Sequence, residues 1–296
     1  LWPGGRVPYT IDASVNEAQK QSIQAAINHI HSLTSIRFVE RTGEEAYVRL
    51  ISDGVAGTCW SYLGRIGGPQ YLDVYCGPNG VPSMGTVVHE MLHALGFQHE
   101  QQRADRDAYV QILWDNIPEE WWSQFTKIGF SGRLMGTYDY DSVMHYHAKA
   151  FSKNGGYTIV PKNGVPPERL GNRNGMSPGD IAAIQALYTT PFVRLQGSFH
   201  QISFSLPSPY NSRTGLSNVG AVPVRILGLE VGGTWLEGAS VATGEIPPGE
   251  SVDITLQAKA CPGPAIQADT IRVLLEGSTY EAAYTRLCYQ YPTYTT

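Results

Sequence analysis

The sequence predicts two folded parts in tandem, an α+β domain over residues 1–191 and an all-β, immunoglobulin-like sandwich over 192–296. Three observations carry that division. A chain of 296 residues is long enough to build two cores. Apolar residues recur at helical spacing in several segments before Pro191, whereas strict alternation takes over after it. Turn clusters rich in Pro and Gly then punctuate the second part at the spacing of a sandwich.

In the first part, Asn16 can cap a helix in which Ile23, Ile27 and Ile30 share one face. The segments 36–39 and 47–51 read as strands. Ser177, Pro178 and Asp180 form a helix start, and the helix they open should bury Ile181, Ile184 and Leu187. Beyond Pro191 the alternating sets are Ile202, Phe204 and Leu206, then Val222, Val224 and Ile226, then Val252, Ile254 and Leu256, and finally Ile271, Val273 and Leu275. Turns at 206–209 and 247–250 separate them.

Composition narrows the function classes. The net charge of -5 offers no basic stripe, which argues against nucleic acid as a partner. No apolar run approaches the eighteen or so residues a membrane-crossing helix needs, and a chain opening on Leu1 reads as processed. The four cysteines contain no CxxC pair, so a four-cysteine metal site is disfavoured and an oxidising, extracellular setting is expected. Of three possible connectivities, the one that keeps each pair within one predicted part joins Cys59 to Cys76 and Cys261 to Cys288.

The chemistry is concentrated in residues 89–100, HEMLHALGFQHE. Residues four apart on a helix share a face, so His89 and His93 can offer two imidazoles to one metal ion, and Glu90 lies next to them as a base. Gly96 permits the left-handed reversal that would bring His99 back as a third ligand. Three imidazoles leave a coordination position open, as a catalytic zinc requires and a closed structural site does not. In a chain with 8 His, HExxH arises by chance roughly once in a hundred sequences, and the added Gly and third His lower this to about one in thirty thousand. Coincidence is therefore set aside.

HExxHxxGxxHE resembles the zinc signature of the astacin family of metzincin endopeptidases, and residues 142–146, SVMHY, resemble that family's Met-turn. Leu1 with Trp2, Pro8 with Tyr9, the segments 59–65 and 103–107, and Leu170 through Arg173 agree with it as well. The resemblance spans about residues 1–190. It implies a two-subdomain catalytic fold around an active-site helix, one catalytic zinc, and protein or peptide substrates. It further implies that Glu90 is the general base and that Met144 packs beneath the metal without ligating it. Tyr146 would be an additional metal ligand that swings away to stabilise the oxyanion.

The resemblance also places Trp60, Ser61, Tyr62 and Leu63 at the edge strand that receives an extended substrate, and gives Arg173 a pocket favouring an acidic residue after the cut. In the family the amino terminus is linked through water to the Glu after the third His, here Glu100; this chain begins at Leu1, several residues later than family members do, so either upstream residues have been trimmed or the link is not made, and a structural role is what the resemblance implies for Glu100. Where the family carries a second disulfide, this chain has Ser35 and, near the other end, Phe192. The second part shows no catalytic pattern, and a role in binding substrate or a surface is expected there by analogy alone. A secreted monomer is expected. The competing reading is a binding or adhesion protein that keeps a metal site without turnover.

Overall fold

The computed structural model describes residues 1–296 except 56–58, 130–133, 190–192, 197–198, 204–209, 219, 233–235, 259–264, 277 and 290–296. The chain divides into two compact units, Leu1–Leu187 and Tyr188–Thr296.

The first unit opens with β1 (Arg6–Ile11), α1 (Glu17–Leu33), β2 (Arg37–Glu40), β3 (Tyr47–Ile51), β4 (Trp60–Ser61) and β5 (Pro69–Asp73). They form a five-stranded sheet in the order β2-β1-β3-β5-β4. All its pairings are parallel except that of β4, which runs antiparallel to β5 and has no strand on its outer edge among the described residues. Helix α1 starts where the sequence predicts: Gln19 N–H donates to Asn16 Oδ1 at 3.0 Å, and Asn16 N–H donates back to Gln19 Oε1 at 2.9 Å. Its apolar face, Ile23, Ile27 and Ile30, is buried.

Helix α2 (Met84–Leu95) packs against α1. Ser83 caps its start by accepting Thr86 N–H, and Gly96 ends it in the left-handed conformation at φ 104°. Phe97 N–H then bonds Leu92 carbonyl at 3.0 Å and closes the last turn. The Trp2 indole donates to Ala94 carbonyl at 2.8 Å and ties the start of the chain to α2. Downstream, β6 (Val110–Ile112) pairs with β7 (Ile159–Pro161) over a cluster that includes Val110, Ile117 and Phe125.

Helix α3 (Pro178–Thr189) buries a narrower stripe than periodicity predicts. Ile184 and Tyr188, four apart, are buried, while Ile181 and Leu187 are half-buried. The aromatic residue at the helix end occupies the position that spacing alone gave to Leu187.

The second unit holds β8 (Val193–Gln196), β9 (Phe199–Ser203), β10 (Tyr210–Asn218), β11 (Val224–Gly232), β12 (Leu236–Val241), β13 (Gly244–Ile246), β14 (Ser251–Ala258), β15 (Ala265–Leu275) and β16 (Ser278–Tyr289). One sheet runs β12-β14-β10-β8 and the other β13-β11-β15-β16-β9. Apolar residues of both sheets meet in one core: Leu216, Leu236, Ile254 and Leu256 from the first, and Val224, Ile226, Ile271 and Val273 from the second. The alternation in the sequence therefore marks the inward faces of β11, β14 and β15. Phe204, Leu206 and Cys261 lie outside the described residues, and so does the bridge expected between Cys261 and Cys288.

Candidate active site

Three imidazoles converge at the end of α2. His89 Nε2 lies 3.2 Å from His99 Nε2, and His93 Nε2 lies 3.0 Å from the same atom. The opposite ring nitrogens settle the tautomers. His89 Nδ1 sits 2.7 Å from Val143 carbonyl and His93 Nδ1 sits 2.7 Å from Phe97 carbonyl. A carbonyl can only accept, so each Nδ1 carries the proton and each Nε2 presents a lone pair.

Lone pairs facing one another at this separation repel unless a cation lies between them. Two zinc–nitrogen bonds of about 2.0–2.1 Å at a tetrahedral angle hold their nitrogens about 3.3 Å apart, close to the observed spacing. Burial depresses all three imidazoles, His93 to about 4 and the other two well below their ordinary value. They are therefore neutral and available to a metal at physiological pH. The donor set fits one zinc ion, and the three histidines are the metal-binding group found among the described residues.

Glu90 is 6% exposed, and its carboxyl makes no hydrogen bond or ion pair among the described residues. Burial pushes it up to about 8, Arg173 pulls down through space, and Asp73 adds to the rise. A buried carboxyl without a partner is costly, which marks it as a group kept for something other than stability.

Residues 142–146 are held from behind by Asp180 at the start of α3. Asp180 accepts Ser142 Oγ–H at 2.6 Å, Val143 N–H at 2.9 Å and Ser177 N–H at 2.9 Å. Val143 carbonyl in turn receives His89 Nδ1–H, so helix α3 orients a metal-facing imidazole across one intervening residue. Met144 is 2% exposed, and its carbonyl accepts Glu100 N–H. The Tyr146 hydroxyl donates to Gln124 Oε1 at 3.1 Å, and its ring lies 4.3 Å from that of His99. Burial raises the phenol, so it stays a proton donor.

His89, Glu90, His93, His99 and Tyr146 line a cleft of about 930 Å³. Trp60, Ser61 and Leu63 form one wall at the free edge of the sheet, beside the bridge between Cys59 and Cys76. Tyr62 does not line it; its ring instead packs edge-on against Trp60 at 5.8 Å. Arg173 lines the cleft near Glu90, with Nη1 bonded to the carbonyls of Val143, His145 and Asn172. A side chain at Gly85 would meet Arg173 carbonyl at 1.9 Å, so only glycine lets the first turn of α2 approach this loop. Glu100 accepts Asp139 N–H at 2.8 Å and pairs with Arg103 at 3.5 Å, while burial pushes it up to about 7.

Sequence reasoning missed Gln124, Trp121 and Phe151, which also line the cleft. Trp121 and Gln124 stand in a short helical segment and Phe151 in a turn, neither with a periodicity to read. The one available signal was two adjacent tryptophans, Trp121 and Trp122, which a compact unit rarely buries together.

The family model for Astacin, a family of peptidases, matches residues 1–189. The chain is 39% identical over 193 residues to zinc metalloproteinase nas-8 of Steinernema carpocapsae, covering 64% of this chain and 45% of that protein. It is 41% identical over 185 residues to high choriolytic enzyme 1 of Oryzias latipes, covering 62% of this chain and 65% of that one. The solved structure of that hatching enzyme, a zinc-protease, superposes with a TM-score of 0.56 over 62% of this chain and 89% of its own. The chain belongs to the astacin family, whose members include these zinc metalloproteinases. It spans less than two thirds of the length of the curated relatives it matches.

Proposed function

We propose that the chain is a secreted zinc endopeptidase hydrolysing peptide bonds in proteins, with residues 1–191 as its catalytic domain and 192–296 as an immunoglobulin-like accessory domain that binds substrate or a surface. The observation that carries the reading is the unpartnered Glu90 carboxyl, buried beside three converging Nε2 lone pairs in an open cleft. His89, His93 and His99 would hold zinc through those nitrogens, and the bound ion would supply a Lewis acid that acidifies water and polarises a carbonyl.

Glu90 takes the proton of the attacking water and later delivers it to the departing amine nitrogen, leaving a carboxylate and an amine. Tyr146 leaves Gln124 and donates its hydroxyl proton in a hydrogen bond to the carbonyl oxygen as charge grows there. The free edge of β4 pairs with an extended substrate backbone, which explains cleavage of proteins without strict sequence demands. Arg173, with Nη1 committed to carbonyls, keeps the rest of its guanidinium for an acidic side chain after the cut. Met144 and Glu100 hold the loops around the metal, and the chain acts as a monomer.

The test is casein hydrolysis by the purified chain and by Glu90→Ala, before and after 1,10-phenanthroline treatment and zinc restoration. The expected result is zinc-reversible activity that falls by roughly a hundred- to ten-thousand-fold in the variant while the metal is retained. Absence of hydrolysis from a folded, zinc-loaded chain would favour a metal-containing binding protein.

A further inference from the structure

Besides the Trp60 wall, the cleft carries an aromatic surface that the hydrolytic groups do not use. Trp121 and Trp122 are neighbours in a short helical segment, Glu119–Phe125, yet they point to different tasks. Trp122 is anchored: its indole donates to Ile117 carbonyl, and its ring packs edge-on to Trp114 at 5.6 Å. Trp121 lines the cleft at 44% exposure, and its indole N–H makes no hydrogen bond among the described residues. Its ring lies 4.9 Å from that of Phe151 at an interplanar angle of 36°.

Phe151 is built in at a cost. Its φ of 55° is unfavourable for a bulky side chain. Phe125, fully buried, braces it at 6.0 Å and 84°, and Tyr146 lies 5.5 Å away. The rings thus form a path from the metal-facing His99 through Tyr146 and Phe151 to Trp121, with steps of 4.3, 5.5 and 4.9 Å. An extended peptide advances about 3.3 Å per residue, so the Trp121 ring lies within about four residues of the bond being cut.

Resting on the endopeptidase reading above, we propose that Trp121 and Phe151 form a specificity subsite that takes an aromatic or large apolar side chain of the substrate. A rigid ring pair with one exposed face offers stacking area at little entropic cost, and the free indole N–H supplies a donor for a substrate carbonyl. A small or charged side chain gains neither the stacking nor the burial.

The test uses fluorogenic peptides with a fixed cut site, in which Phe or Ala is walked through about four positions on either side. The intact protein should favour Phe over Ala at one position by roughly tenfold or more in kcat/KM. Trp121→Ala should reduce that preference to near unity, and Trp121→Phe should restore most of it. Binding of the same peptides to Glu90→Gln, read by calorimetry, should show the same ranking without turnover. An unchanged Phe preference in Trp121→Ala, or no preference in the intact protein, overturns the subsite while leaving the peptidase reading standing. Failure of the intact, zinc-loaded protein to cleave casein or any peptide removes the reading itself, and the subsite with it.

Discussion

Around α2 the first unit buries His89, Glu90, Ser142, His145 and Asp180, each at 7% exposure or less, whereas the described core of the second unit is built of Leu, Ile and Val. Ser217 and Asn218 are the buried polar residues found among the described part of the second unit. Asn218 is satisfied, donating to Val222 and Ile246 carbonyls and accepting Gly220 N–H. His145 is satisfied too, between the Tyr138 hydroxyl and Tyr146 carbonyl. Glu90 is not. A fold tolerates buried polar groups that pair with each other, and one that does not pair points to an external partner. Among the described residues, the difference separates a unit that keeps an unpaired buried carboxyl from one whose buried Asn218 is fully paired.

The largest expected effect breaks the polar side of that comparison. Asp180→Ala leaves Ser142 Oγ–H, Val143 N–H and Ser177 N–H without their acceptor, which should cost about 3 kcal/mol or more. Because Val143 carbonyl orients His89, zinc affinity measured by chelator competition should fall roughly tenfold as well. Loss of stability with unchanged zinc affinity would show that α3 supports the fold without reaching the metal-facing ring.

A smaller effect sharpens the apolar side. Ile254 is fully buried, and Ile254→Val removes one methyl group, at a cost of about 1 kcal/mol. Calorimetry should show the second unit's transition shifted down, with the casein hydrolysis proposed above unchanged. A matching loss of activity would mean that the two units do not act independently.

How much of this was legible in the sequence depends on how local each feature is. The three histidines come from one helix and the reversal that follows it, so their spacing alone announces that they meet. The capping box of α1 and the inward faces of β11, β14 and β15 are equally local, set by residues three apart or two apart. The bond from His89 to Val143 spans 54 positions and leaves no periodic trace. The cleft wall formed by Trp121, Gln124 and Phe151 is assembled from the short helical segment Glu119–Phe125 and a distant turn, whose placement is decided by tertiary packing around Phe125. In α3 the same competition moved the last buried position from Leu187 to Tyr188, since a stripe read by spacing does not say which of two neighbouring large side chains the core will take.

The smallest expected effect lies at the surface of the first unit, where polar contacts carry little at stake. Asp12, at the end of β1, is pulled down to about 2 by the backbone N–H of Ser14 and by its pairing with Arg49 of β3. A carboxyl depressed in the folded state contributes stability above its unfolded value, near 3.9, and loses that contribution as pH falls towards 2. Urea midpoints for the intact protein and Asp12→Asn should therefore differ slightly at pH 7, in favour of the intact protein, and converge near pH 2. Both should be measured without zinc, so that loss of the metal in acid does not enter, and the histidines then titrate alike in the two proteins. The difference at pH 7 should be small because the pair is exposed and screened. Equal midpoints at every pH would mean that Arg49 holds Asp12 without stabilising the sheet, and that the polar groups that matter in this unit are the buried ones beside α2.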